Sequence, residues 1–351
     1  MAVRLLTDSA SSIPKEDIAR YNIGIIPLVL VDGDRSLPED EIDYDEFYAH
    51  LAQVDYLPTT SQPSPEILRV KITDILDAGD DVLAVILPET LSGTINALAL
   101  IMDQIATENP AARERMRIID AQAPCMQEGF AVLAGAKRAL EGGDLAQCAA
   151  AVEAAKERTR FIFAPRSLDY LERGGRIGRA SALLGGLLKL VPILTIEEAM
   201  ATAYTKVRTY SKALITLRDK LASDIKNSGG LKNVCVHFIV DTEQAAAFCK
   251  NLIEPLVGLS VPLVQVSPVV GANVGPAIGL VYETVNPIAA LRGESVLSRL
   301  GEVRLPDLSG LLGRRESDNK GDNAPAPATA TATTTTTTAT HTETPGPGGP
   351  R

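Results

Sequence analysis

The sequence predicts an α/β protein of two domains, on three observations. Short apolar runs alternate with amphipathic helical patterns through residues 3–158. A second series of strands and helices begins near residue 160 and contains neighbouring strand candidates. Past about residue 315 the chain is Thr, Ala, Pro and Gly. Strand–helix alternation at this spacing implies a mainly parallel sheet covered by helices. Residues 1–159 are therefore expected to form a mainly parallel sheet with helices on both faces, and 160–286 a second α/β domain with a mixed sheet. An amphipathic extension is expected over 287–314, through Ile288, Leu291, Leu297 and Leu300. Residues 315–351 cannot bury enough apolar surface to offset chain entropy and are expected to be disordered.

Taken in order, residues 3–6 read as a strand, a helix follows Ser12-Ile13-Pro14, and IIPLVLV (25–31) reads as another strand. The next helix begins at Ser64, a good N-cap, with Pro65 at the first helical position, where its missing N–H does no harm. DVLAVIL (81–87) is a buried-strand run, followed by a helix from about Thr94. RMRIID (115–120) is a strand, and Ala-rich helices cover 124–140 and 144–158. In the second half RFIFAP (160–165) opens a strand, and PILTI (192–196) and TAYTKVRT (202–209) are paired-strand candidates. A helix near 211–225, a strand VCVHFIV (234–240), a helix near 243–256 and a strand VPLVQV (261–266) follow, and ANVGPAIGLVYE closes the domain.

Composition narrows the class. The chain carries 34 Lys+Arg against 44 Asp+Glu, a net charge of −10. A field of that sign argues against nucleic acid or an anionic membrane surface as the main partner. No apolar run approaches the roughly 20 residues of a membrane span, and MAVRLLTDS reads as a strand rather than a leader. A cytoplasmic protein with no stable membrane insertion is expected. Cys125, Cys148, Cys235 and Cys249 lie in apolar runs without metal spacing, which points to buried reduced thiols.

Three polar loops carry the chemistry: TDSASS (7–12), TTSQPS (59–64) and ETLSGT (89–94). All lead into helices, and two directly follow strands. Loops at the carboxyl ends of strands line the ligand crevice of an open α/β sheet, and helix N-termini add free N–H groups. Ordinary helix capping would use the same residues. None of the three loops contains Lys or Arg, and the chain has no P-loop and no GxGxxG, so neither a nucleotide nor any other cofactor is expected. A single weak anion such as a carboxylate, held by neutral donors of these loops, Ser61 and Thr94 among the candidates, fits better. A serine nucleophile would need a histidine base, and of the three histidines His237 reads as a strand residue of the core. Asp8 reads equally as a functional acid and as a cap. His, Cys, Asp and Glu do not cluster at metal spacing.

In order and spacing, TDSAS (7–11), TSQPSP (60–65), LSGTINA (91–97), LDYLERGGRIG (168–178), KVRT (206–209) and VGPAIG (274–279) resemble the DegV family. The resemblance runs from residue 1 to about 285. These bacterial fatty-acid-binding proteins include the lipid-binding subunits of fatty acid kinase. The resemblance implies two α/β domains with a long-chain fatty acid between them, its carboxylate held by Thr60 and Ser92. Ser61 and Thr94 flank those two in the same motifs. The family's C-terminal histidine corresponds to Asn273, whose amide can donate a hydrogen bond but carries no charge. Arg208 matches a family arginine implicated in working with the kinase. With Arg176 of LERGGRIG, it is expected to face a partner, the ATP-binding subunit, since a guanidinium is costly to bury unpaired; an intramolecular salt bridge is the alternative for each. The implied function is a non-catalytic carrier that presents the acyl carboxylate for acyl-phosphate formation. The alternatives are a hydrolase or transferase using Ser92 or Asp8 in the same crevice, and a lipid-responsive regulator.

Overall fold

A computed structural model describes residues 2–51, 53–54, 56–186 and 190–290 of the chain. β1 (Val3–Asp8) is almost wholly buried and ends in a 3-10 turn over Ser9–Ser11. α1 (Lys15–Tyr21) follows Pro14, and the chain returns as β2 (Gly24–Ile26). The single strand expected over 25–31 is two strands, β2 and β3 (Val29–Asp32), in different sheets. Pro27 lies between them and has no N–H to give to a ladder, so pairing stops there and the chain changes sheet. β3 pairs antiparallel with β4 (Arg35–Pro38). After α2 (Tyr44–Leu51), β3 also pairs with β5 (Thr59–Ser61). The first three residues of TTSQPS are thus an edge strand rather than a loop.

α3 (Pro65–Asp77) starts as its sequence dictates, with the Ser64 hydroxyl accepting from the Ile67 N–H at 3.3 Å and Pro65 in the first turn. β6 (Asp81–Ile86), α4 (Thr94–Glu108) and β7 (Met116–Asp120) follow. The strands β2-β1-β6-β7 form an entirely parallel sheet in that order. α5 (Cys125–Leu140) and α6 (Leu145–Arg158) pack on each other and on that sheet. Asp144 and Gln147 close a reciprocal cap at the start of α6.

The second half contains β8 (Thr159–Pro165), α7 (Asp169–Arg173), β9 (Val191–Glu197), β10 (Met200–Val207) and α8 (Tyr210–Asn227). β11 (Leu231–Ile239) precedes α9 (Thr242–Phe248), which continues through a π turn into α10 (Glu254–Val257). β12 (Leu263–Gln265), α11 (Pro268–Val274) and β13 (Ala277–Thr284) complete it. The sheet order is β10-β9-β8-β13-β11-β12, antiparallel except for the β11–β12 pair, so it is mixed as expected. Glu198 and Ala199 make the β9–β10 turn at φ 49° and 60°. Asn and Gly are the usual occupants of such a turn.

Side chains alternate across the mixed sheet with the period of two that a strand imposes. Ile162, Val236, Leu280 and Tyr282 face a cluster with Leu217 and Leu221 of α8 and Phe248 of α9. Phe161, Phe163, Cys235, Ile239 and Val281 face the other way, into a cluster that runs on to Leu5, Leu6 and Ile86 of the parallel sheet. Burial on both faces explains why these strands read as continuous apolar runs. All four cysteines are buried free thiols, as expected. Among the described residues no helix is long and apolar enough to cross a membrane. Of the expected extension, residues 287–290 are described, and Ile288 packs against the α8 cluster. Leu291, Leu297, Leu300 and residues 315–351 lie outside the described residues.

Candidate functional site

The carboxyl ends of β1 and β6 and the start of α5 face the Phe161–Phe163 side of the mixed sheet, and a cavity of about 300 Å³ lies between them. Its lining is divided by chemistry. One part is polar: Thr60, Ser61, Gln62, Ser92, Arg176 and Asn273. The remainder is almost entirely apolar, with Leu28, Leu87, Ile196, Val266 and Val270 among the side chains that form it.

Each polar residue is fixed by its element. Thr60 pairs with Leu30 in the β3–β5 ladder. Ser92 sits in the loop after β6, where its N–H donates to the Pro88 carbonyl at 3.1 Å. Its hydroxyl lies 2.9 Å from that of Thr94 and accepts from the Thr94 N–H at 3.3 Å. Thr94, expected at the ligand, is fully buried at the head of α4 and does not line the cavity; it holds Ser92. The N-terminus of this 15-residue helix adds a positive dipole end on that side. The Thr90 hydroxyl donates to the Ala199 carbonyl, which ties the Ser92 loop to the β9–β10 turn.

Asn273 lines the cavity from α11, and one of its amide hydrogens goes to the Val269 carbonyl at 2.9 Å. The first half of the chain holds α11 in place. Glu39 accepts from the Val269 N–H at 2.8 Å, and the Tyr48 hydroxyl donates to the Val266 carbonyl at 2.7 Å. Arg176 departs from expectation. It is half-buried in the cavity lining, donating from Nε to the Leu91 carbonyl at 3.2 Å and from Nη1 to the Gly174 carbonyl at 2.5 Å. Backbone carbonyls partner its guanidinium there, which removes the objection to burying it. It is the one Lys or Arg among the described residues of the lining. Arg208 is exposed just after β10 and lies away from the cavity.

Two residues expected in the core, His237 and Cys125, also line the cavity. The His237 ring is 1% exposed. Its Nε2 accepts from the Met126 N–H at 3.1 Å, and its Nδ1 lies 2.9 Å from the Val264 carbonyl, so Nδ1 carries the proton. Burial pushes its pKa down to about 4 and keeps the ring neutral. The inward alternation of Cys235, His237 and Ile239 was a usable signal for this placement. Burial without a cation pushes the Asp8 carboxyl up to about 7, although it accepts from the N–H groups of Ala10 and Leu87 at 2.9 Å each. Burial raises the carboxyls of Glu39 and Glu128 as well.

The DegV family model matches residues 2–285. A DegV domain-containing protein of Clostridium perfringens is 35% identical over 283 residues, covering 80% of this chain and 99% of that protein. Another from Clostridium acetobutylicum is 32% identical over 290 residues, covering 81% and 98%. Among solved structures, a DegV family protein of Thermus thermophilus described as binding fatty acid superposes with a TM-score of 0.70 at 28% identity, covering 81% of this chain and 99% of that one. DegV of Bacillus subtilis, described as a fatty acid binding protein, gives 0.70 at 27% identity with the same coverage. The match in sequence along nearly three hundred residues and the agreement in fold lead to one assignment: the chain belongs to the DegV family.

Proposed function

We propose that this chain is a fatty-acid carrier. It binds one long-chain fatty acid between its N-terminal (1–159) and C-terminal (160–286) domains, and presents the carboxylate to the ATP-binding subunit of a fatty acid kinase. The observation that carries the reading is the division of one cavity into a polar end and an apolar remainder. Each buried methylene stabilises the complex by about 0.8 kcal/mol, so the apolar part supplies affinity and the polar end needs only to orient the head group. Thr60, Ser61 and Ser92 offer hydroxyl donors, Asn273 an amide, and Arg176 a positive charge for the carboxylate. Relatives described as fatty-acid-binding support the same ligand.

In the kinase reaction a carboxylate oxygen attacks the γ-phosphorus of ATP, the bond to the β-phosphate breaks, and ADP leaves. This chain contributes orientation and exclusion of water. Arg208 faces the kinase subunit, and the need for ATP sets the reaction in the cytoplasm. Catalysis by the chain alone is disfavoured by geometry. The group beside the Ser92 hydroxyl is the Thr94 hydroxyl rather than a base, both His237 nitrogens are occupied by backbone groups, and Asp8 accepts two backbone N–H groups. Asn273, in place of a titratable side chain, favours a regulator as the second reading.

Incubating the fatty-acid-loaded chain with ATP and the matching kinase subunit, and trapping acyl phosphate as hydroxamate, tests the proposal. Hydroxamate that depends on all three components supports it. Binding without product points to the regulator, and cleavage of an acyl ester by the chain alone points to a hydrolase.

A further inference from the structure

Three residues stand side by side on the cavity face of the mixed sheet: Phe163 of β8, Gly279 of β13 and His237 of β11. Direct cross-strand partners share a face, and all three line the cavity. Gly279 leaves an empty place in this row, and the Phe161 ring fills it. A Cβ at 279 would come within 2.8 Å of Phe161 Cε2 and 2.9 Å of Phe163 Cβ.

That ring is held from two sides. It stacks on Phe163 at a centroid distance of 4.8 Å, and meets the His237 ring edge-on at 5.8 Å. His237 is itself pinned at both nitrogens by backbone groups of α5 and β12. Phe161 also belongs to the apolar part of the lining: its ring meets that of His237, which bonds the head of α5, where Cys125 lines the cavity too. Along β13 the lining runs from Ala277, three residues after α11 with its Asn273, to Gly279; Phe161 is level with Val281, one step further.

We propose that the Phe161 ring, seated over Gly279 and braced by Phe163 and His237, is the wall against which the acyl chain ends, and so sets its length. The inference rests on the fatty-acid reading above. A chain short of the wall gains affinity with each methylene, by about fourfold; a chain that reaches it gains nothing more or must buckle. Truncating the ring moves the wall back. A methyl group at 279 pushes the ring forward, because backbone lies on the other side of the new Cβ, with Ile162 O at 3.2 Å.

The test is a titration of the delipidated full chain with saturated fatty acids of increasing length, reading the length at which affinity stops rising. In Phe161→Ala that break moves to longer acids, and in Gly279→Ala to shorter ones. Phe161→Leu, a smaller change inside the sheet, moves it in the same direction as Phe161→Ala and serves if either alanine variant fails to fold. An unmoved break in a folded, binding Phe161 variant overturns the inference and leaves the fatty-acid reading intact. If the unmodified chain binds no fatty acid of any length, both fall together.

Discussion

The Met126 N–H at the head of α5 donates to Nε2 of His237 on β11, 3.1 Å away and 111 residues along the chain. The bond fixes the imidazole as the Nδ1-protonated tautomer and joins the parallel-sheet half to the mixed-sheet half beside the cavity. Replacing His237 by Leu leaves a buried N–H without a partner and should destabilise the fold by about 1–3 kcal/mol. Urea denaturation at neutral pH checks this. A variant as stable as the parent would show that the bond contributes nothing.

Stability should depend on pH through two opposing groups. Asp8, held at about 7 in the fold against 3.8 for the free group, keeps its proton longer when folded, so its contribution is full below about pH 4 and is lost as pH rises through 7. His237, lowered to about 4 from 6.5, contributes stability above 6.5 that is lost as pH falls through 4. The two largely offset between those limits. In Asp8→Asn the contribution of His237 is no longer offset by Asp8, and unfolding free energy should rise more steeply from pH 5 to pH 7 than in the parent, by on the order of a few kcal/mol. Glu39 and Glu128 act in the same direction as Asp8 and reduce that rise. An unchanged slope would mean that Asp8 ionises normally.

The two arginines should separate by function. Arg176→Gln is expected to weaken fatty-acid binding about tenfold or more, since a hydrogen bond to a charged group contributes about 1.5–3 kcal/mol. Arg208→Ala should leave affinity unchanged and slow acyl-phosphate formation with the kinase subunit. Fluorescent fatty-acid displacement and the hydroxamate assay read the two effects separately. If Arg208→Ala impairs both equally, that residue belongs to the lipid site.

Much of this architecture was legible locally. Ser64-Pro65 announces α3, and apolar runs mark the strands; of the three hydroxyl loops, TTSQPS and ETLSGT bring Thr60, Ser61 and Ser92 to the cavity, whereas TDSASS brings only Ala10. What was hidden depends on contacts between distant segments. Pro27 divides IIPLVLV between two sheets, but only pairing of β3 with β5 shows where its second half goes. Glu198 and Ala199 adopt a turn their side chains do not advertise, and Arg179, 19 residues earlier in the chain, pairs with Glu198. Arg176 looked too costly to place in a lipid cavity, because the carbonyls of Leu91 and Gly174 that partner it could not be foreseen. Nor does RFIFAP reveal that Phe161 lies over Gly279, since the two are 118 residues apart (279 − 161).

Native mass spectrometry of the full chain, first as purified and then after delipidation and re-addition of a long-chain fatty acid, tests the central claim most directly. The expected result is one acyl chain bound per protein, with Thr60→Ala, Ser92→Ala together reducing its retention while the melting temperature of the lipid-free protein stays the same. Each lost hydrogen bond to the carboxylate should cost about 1.5–3 kcal/mol. A folded parent chain that carries no fatty acid and takes none up would contradict the carrier reading. A double variant that holds the lipid as tightly as the parent would move the head group away from Thr60 and Ser92.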